Sequence, residues 1–368
     1  MWAGFAAYLG ALWLAPRLGR QVVWGSILVL VIGFAVAPVL LSHDVYSYVD
    51  YARLGVRHGL DPYVHPPLAA PGDPAYAEVT WTDATSAYGP LFTLLTYPLA
   101  WLPVGVAVAV LKAVSALSVL GIAALTARIA AWRGIDPLRA AAFVALNPLV
   151  LVHAVGGAHN DALTMLLAMG AVAAILSGRE AAGGGALVSA IATKLSAAFL
   201  APFALVATAT SPPTGRKPTT WSGFRPVGRL LAGAVGAALA VGAAAYLAFG
   251  WDWLHGFGLA GENQSRTSHM SIPITIARIG GLDPGGARLA AALLLGALVL
   301  YLLAWTWRGG DWIRAAAWAG FGLLLATAWL LPWYLLWPLP LVAISRDRTL
   351  LALTLFLTAY QLGARIPL

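Results

Sequence analysis

Apolar stretches close to the 20 or so residues that a membrane helix needs recur along this chain, separated by short segments that often carry arginine. The first two cover residues 1–16 and 22–41, with Arg17 and Arg20 between them. The first lacks a basic leader and a small-residue cleavage site, so it is expected to stay as an uncleaved helix. Arginines between two spans mark a cytoplasmic turn. The second helix therefore delivers Ser42-His43-Asp44 to the outside.

From there to Tyr88 the chain is too polar and proline-rich to span, yet it is crowded with tyrosine, tryptophan and acid. Val45, Tyr48, Val49, Ala52 and Val56 recur at helical spacing, with Asp50, Arg53 and Arg57 opposite. That pattern predicts a helix lying in the membrane interface, stopped at Gly59-Leu60-Asp61-Pro62. Residues 90–102 are apolar but short and are expected to sit in the outer leaflet without spanning. A long run over 104–131 then reaches Arg128 and Arg133 in the cytoplasm, and crossings follow over 138–155 and 162–176. The stretch 183–210 is awkward: one crossing would leave Arg216, Lys217, Arg225 and Arg229 outside. A broken re-entrant pair turning near Lys194-Leu195-Ser196 keeps them inside. Such backbone is tolerated at depth only where it lines a cavity or is buried in protein.

Further spans are expected over 230–249, 287–307, 312–331, 333–344 and 350–362, with Arg346 and Arg348 at the last cytoplasmic turn. The pattern thus predicts an all-α polytopic membrane protein of about 10–12 membrane helices, some re-entrant, plus an external interfacial helix. It forms one integral membrane domain over 1–368. External loops 42–89 and 250–286 make its functional face, and 211–229 is a cytoplasmic linker. Roughly 14 of the 22 basic residues fall inside and roughly 10 of the 14 acids outside. All seven histidines fall outside or near outer helix ends.

Composition agrees: 60% of the 368 residues are hydrophobic and only 10% charged, against about a quarter charged in soluble domains. Lipid must be the solvent. The net charge of +8 reflects cytoplasmic arginines and not nucleic-acid binding. The absence of cysteine excludes disulfides, thiolate metal sites and cysteine nucleophiles. No cofactor or metal is expected: there is no Walker A loop and no Asp-x-Asp pair. Gly256-Phe257-Gly258-Leu259-Ala260-Gly261 matches a dinucleotide fingerprint but follows no strand, so coincidence is the better reading. Asn263-Gln264-Ser265 is a formal sequon that matters only in a eukaryotic secretory setting.

Asp44, at the outer end of a spanning helix, is the acid most open to desolvation and raised basicity; the blander role is a helix cap. His159-Asn160-Asp161, between two spans, offers the same choice between capping and orienting a sugar. Lys194 and Lys112 are lysines inside apolar sequence and therefore candidates by default, with snorkelling the alternative for Lys112. Pro332-Trp333-Tyr334-Leu335-Leu336-Trp337 reads either as a binding surface or as part of an aromatic belt.

Together these pieces resemble a known family. Ser42-His43-Asp44-Val45-Tyr46-Ser47-Tyr48, Asp61-Pro62-Tyr63, Tyr88-Gly89-Pro90-Leu91, Asn147-Pro148-Leu149, Gly156-Gly157-Ala158-His159-Asn160-Asp161, Lys194 and Pro332–Trp337 follow one another as in the GT-C superfamily polyprenyl-phosphate-mannose-dependent α-1,6-mannosyltransferases of actinobacteria. The family usually has Arg where His43 stands, and the chain looks short for it, as if a helix or tail were missing at one end.

The resemblance implies a GT-C-like fold in the bacterial cytoplasmic membrane with its active site on the outer face. Mannose would pass, with inversion, from polyprenyl-phosphate-mannose to a mannan or lipomannan-type glycolipid acceptor. Asp44 would be the general base. Lys194, and less directly His43 or Lys112, would stabilise the phosphate. Tyr48, Tyr88, His159, Asn160, Asp161, Trp333 and Tyr334 would complete the sugar pocket. An α-1,2-mannosyl- or arabinosyltransferase of the same fold is the near alternative. A lipid-linked sugar flippase and a non-catalytic glycolipid-binding protein are the alternatives from other classes.

Overall fold

A computed structural model describes residues 2–210, 225–262 and 265–363 of the chain, and all regular structure among them is helical. Most of the expected 211–229 linker and the Asn263-Gln264 part of the sequon lie outside the described residues. Helices α1 (Trp2–Leu14) and α2 (Arg20–Val36) open the chain. The second stops earlier than its apolar run because the residue before Pro38 is pushed out of helical geometry.

Next come α3 (Asp44–His58), then α4 (Pro90–Thr96) with a tight turn to Trp101, and the 29-residue α5 (Val104–Trp132). The crossing expected over 138–155 is broken. Helix α6 (Pro137–Ala145) and a π-helical turn (Val150–Gly156) meet at 64°, on either side of Asn147-Pro148. Proline cannot donate the helical hydrogen bond at that point. Asn147 covers part of the gap, its Oδ1 accepting the Leu149 N–H at 3.0 Å.

Helices α7 (Asp161–Leu176) and α8 (Glu180–Thr193) form a hairpin. The helical run then breaks at Lys194, whose backbone is extended, and continues through a 3₁₀ segment (Leu195–Leu200) into α9 (Ala201–Thr210). Helix α10 (Arg225–Phe249) lies against α8 at glycine contacts: a Cβ at Gly233 would fall 1.8 Å from the Ala181 carbonyl, and one at Gly184 would fall 2.0 Å from that of Leu230. Small residues are what permit two membrane helices such close approach. The ion pair Arg229 Nε–Glu180 Oε2, 2.9 Å, closes one end of the contact.

Helices α11 (His255–Glu262), α12 (Ile272–Gly280), α13 (Pro284–Trp307), α14 (Trp312–Ala326), α15 (Leu339–Ile344) and α16 (Arg348–Gly363) complete the described chain. The dinucleotide-like glycines lie inside α11, where Gly256 packs against Tyr63, and not in a strand-to-helix turn. The expected helix over 312–331 ends at Ala326, where the Thr327 backbone turns extended. Residues 327–331 are non-helical, and Pro332–Leu336 is a 3₁₀ turn.

Among the described residues, three helices (Val104–Trp132, Pro226–Phe249 and Pro284–Trp307) are long and apolar enough to cross a bilayer, and the bent pair around Asn147-Pro148 makes a fourth candidate. Shorter apolar helices fill the spaces around them, giving an all-α polytopic membrane protein. In α10 and α13 only 11% of the apolar window is buried by protein. Leu247 and Leu294 are among the side chains left bare. Such surfaces are stable only against lipid.

The polar side of α3 departs from expectation. Asp50 and Arg53 are only 1% and 7% exposed, although a free interfacial helix would turn them to water. The loop after α3 folds back over them. Arg53 Nε contacts Asp73 Oδ1 at 2.7 Å, His58 Nε2 contacts Asp73 Oδ2 at 2.8 Å, and Arg53 Nη1 donates to the Ala100 carbonyl at 3.0 Å. The ion pairs hold Asp73 below the usual carboxylate range even against its burial.

Candidate active site

Two strained turns bring the separate parts of the site together. After α2, the Leu40 N–H donates to the Gly156 carbonyl at 3.3 Å. Next to this tie, Leu41 (φ +61°) and Ala158 (φ +53°) both adopt left-handed backbone. A non-glycine residue in that region costs about 1–2 kcal/mol, and such strain persists where surrounding contacts over-determine the backbone. Leu41 leads directly into Ser42-His43-Asp44 and Ala158 into His159-Asn160-Asp161.

Both acidic groups turn away from the capping role. His43, not Asp44, is the N-cap of α3, and it makes no side-chain cap bond. Asp44 is the first helical residue, and its carboxylate faces a cavity. Its Oδ2 lies 3.6 Å from Nδ1 of His159. The His159 ring stacks on Trp333, centroids 3.8 Å apart and planes 18° apart. Burial raises the pKa of Asp44, and the Asp161 charge adds to this; the Lys194 charge and the side chains of Ser42 and Trp81 oppose it. The result is a carboxylate more basic than one in water.

Asn160 caps α7 without a side-chain cap bond, and the fully buried Asp161 makes longer-range contacts. Its Oδ2 meets Lys194 Nζ at 2.7 Å and its Oδ1 accepts the Trp337 indole N–H at 2.6 Å. Lys194 also donates to Asn160 Oδ1 at 3.4 Å and lies 5.6 Å from the Tyr334 ring centroid. Tyr334 stacks on Trp337 at 4.1 Å. One buried carboxylate therefore joins α7, the break after α8 and the turn before α15.

These groups surround a cavity of about 630 Å³, within the usual range for a small-molecule site. Asp44, Ser47, Tyr51, Tyr88 and Lys194 give it polar atoms; Trp81, Trp329, Trp333, Tyr334 and Trp337 give it aromatic walls. Leu195, Phe199, Leu323 and Leu331 add apolar lining. Among the described residues, Ser47 Oγ is buried and has no hydrogen-bond partner, and the same holds for Ser196 Oγ. Both residues line the cavity.

Of the residues expected from sequence, Asp44, Tyr88, Lys194, Trp333 and Tyr334 line the cavity, and His159, Asn160 and Asp161 stand directly behind it. Tyr48 is also behind the wall, edge-on to Tyr88 at 4.8 Å, with its hydroxyl accepting the Asn160 N–H at 3.5 Å. His43 is not brought in. It is exposed, and its Nδ1 lies 3.0 Å from the Glu78 carbonyl oxygen. Lys112 is also elsewhere. Its ammonium donates to the Ala37 carbonyl and, at 3.1 Å, to that of Pro38, satisfying carbonyls freed where α2 ends. Arg266, Trp81, Trp329 and Asp83 also line the cavity and were not singled out from sequence. Tryptophan-rich turns at helix ends are ordinary interfacial chemistry, so only the fold distinguishes them.

The comparisons agree on one family. Residues 1–210 match a family model described as "Alpha-(1->6)-mannopyranosyltransferase, N-terminal domain", a range that includes Asp44, His159-Asn160-Asp161 and Lys194. Alpha-(1->6)-mannopyranosyltransferase A of Mycobacterium tuberculosis is 31% identical over 377 residues, covering 93% of this chain and 70% of that protein. The protein of the same name from Corynebacterium glutamicum is 30% identical over 179 residues, 47% of this chain and 36% of its own length. Another alpha-(1->6)-mannopyranosyltransferase of M. tuberculosis is 32% identical over 154 residues, 40% of this chain and 26% of its own.

Proposed function

The chain belongs to the α-(1→6)-mannopyranosyltransferase family, and from that premise we propose that it moves mannose from polyprenyl-phosphate-mannose to a mannan-type glycolipid on the outer membrane face. The observation that carries this reading is the Asp44–His159–Trp333 arrangement beside a cavity lined by both polar and apolar side chains. Such a cavity suits a sugar attached to a lipid. The prenyl chain lies along Leu195, Phe199, Leu323 and Leu331, and the sugar meets Asp44 and the aromatic rings.

The reaction is a single displacement. The acceptor hydroxyl oxygen attacks the anomeric carbon as its proton passes to Asp44. The bond from that carbon to the phosphate oxygen breaks, its electron pair leaving with the phosphate, and the configuration inverts. General base catalysis is worth about 10²–10⁴ in rate and improves as the base's pKa rises toward the working pH. Burial of Asp44 moves it in that direction. His159, stacked on Trp333, stands 3.6 Å from the carboxylate.

The outer-face orientation is supported by the opposite end of the bundle. There Arg133 pairs with Asp311 and Arg314 with Asp347, while Arg346 and Arg348 begin the last turn. Clustered arginines favour the cytoplasmic side.

The test is transfer from labelled polyprenyl-phosphate-mannose in membranes carrying wild type or Asp44→Asn, with linkage analysis of the product. Asp44→Asn is expected to lose activity about 100-fold or more while folding normally. Retained turnover would remove Asp44 as the base. An α-1,2 product or arabinose transfer would redirect the substrate assignment.

A further inference from the structure

Among the described residues, four charged side chains line the cavity: Asp44, Asp83, Lys194 and Arg266. A phosphate-bearing substrate needs a cation whose charge is not already answered. Lys194 does not supply one, because its ammonium sits 2.7 Å from the Asp161 carboxylate and the two cancel. With that pair set aside, Arg266 is the one positive group left among the described lining residues, alongside Asp44 and Asp83.

Among the described residues, Arg266 has no carboxylate within ion-pair distance. Its guanidinium lies in the corner formed by two indoles, 4.8 Å from the Trp81 centroid and 5.4 Å from that of Trp329. The two indoles meet edge to face at 6.2 Å. Cation–π contact of this kind uses none of the guanidinium N–H groups, which stay available to donate to a phosphate.

The backbone on both sides is also tied down. Arg288 Nη1 donates to the Ser265 carbonyl at 2.9 Å. The Ser268 N–H and hydroxyl donate to the Ala328 and Leu330 carbonyls at 3.1 and 2.8 Å. Trp81 lines the same cavity as Asp44 and Arg266, and its ring carries the guanidinium.

We propose that Arg266 is the residue that binds the donor phosphate and takes up the charge of the departing one, and that Lys194 is a positioning residue acting through Asp161. The proposal rests on the polyprenyl-phosphate donor reading above. As the bond from the anomeric carbon to oxygen breaks, the phosphate gains a unit of negative charge. A donor already aimed at that oxygen binds the transition state more tightly than the substrate.

The experiment compares wild type with R266Q, R266K and R266A. It measures the ligand-induced thermal shift with a short polyprenyl monophosphate and with the matching uncharged polyprenol, a readout that needs no turnover. R266Q and R266A are expected to weaken monophosphate binding at least tenfold, with R266K between them and wild type, while polyprenol binding stays the same. Unchanged monophosphate affinity in R266Q, or an equal loss for both ligands, overturns the assignment and leaves the donor reading standing. If R266A does not fold, R266Q and R266K carry the comparison. If wild type itself does not bind the monophosphate, the donor reading fails and the role of Arg266 fails with it.

Discussion

Removing the charge of Lys194 should destabilise the protein, and removing the charge of Asp161 as well should restore much of what was lost. The Asp161 carboxylate is fully buried and accepts from Lys194 at 2.7 Å and from Trp337 at 2.6 Å. Breaking a buried pair by deleting one member costs about 3–5 kcal/mol, because the other charge is left uncompensated. In Lys194→Met the Trp337 N–H still serves the carboxylate, and the lysine side chain was 18% exposed, so about 2–4 kcal/mol is the better figure. Asp161→Asn keeps an acceptor for Trp337 but turns an amide N–H toward the ammonium, at a cost of about 1–3 kcal/mol. In the double variant no charge is buried, so its loss should fall short of the sum by about 2–3 kcal/mol.

For 368 residues, an unfolding entropy near 2.1 cal/mol/K per residue gives about 0.8 kcal/mol/K. A loss of 3 kcal/mol then lowers the melting temperature by about 4 °C, and by more where helices persist in the unfolded state. Tryptophan fluorescence melts of the four proteins in lipid nanodiscs measure the cycle. Additivity within about 0.5 kcal/mol would refute the buried-pair reasoning. Recovery of sugar transfer in the double variant, together with stability, is the mark of a positioning role for Lys194; stability without activity would mean that its ammonium touches the substrate.

Asp50 gives a pH prediction. Burial and the nearby Asp73 charge push its pKa up to about 7, against the pull of His58 and Arg53. A carboxyl with a raised folded-state pKa stabilises fully below its unfolded value and loses that contribution as pH rises through about 7. Asp50→Asn should therefore be more stable than wild type at pH 8, on the order of 2–4 kcal/mol, with little difference at pH 4; melts across that range would show the wrong sign if Asp50 is stabilised as an anion. Gly89 gives a packing prediction. A Cβ there would fall 2.1 Å from the Ala192 carbonyl, and the Gly89 N–H donates to Thr193 at 3.1 Å. Gly89→Ala must push the external loop off the turn at Lys194, costing about 1–3 kcal/mol and most of the transferase activity; wild-type KM and kcat in that variant would disprove the contact.

Much of this protein follows from one-dimensional facts. A chain with 10% charged residues and repeated apolar runs has to solve its backbone hydrogen bonding inside lipid, and helices are its only local means. Arginine placement and the loop before Pro90 then separate a functional end from a plain one. Asp44, His159-Asn160-Asp161, Lys194 and Trp333-Tyr334 were legible because acid, amide and lysine are costly inside apolar sequence and so stand out.

Tertiary structure decided which partners these residues meet. No spacing rule links Lys194 to Asp161, or Asp50 and Arg53 to the loop that buries them. The role of Lys112 as a cap for α2, and the turning away of His43, depend on where helix ends fall relative to proline. Arg266 was invisible for a physical reason: an arginine in a loop is ordinary, and two tryptophans far apart in sequence come to flank it only when the end of α14 and the loop after α3 converge. Local composition sets the cost of placing a group in the membrane. The geometry of packed helices determines what offsets that cost, and so which charge is free for a substrate.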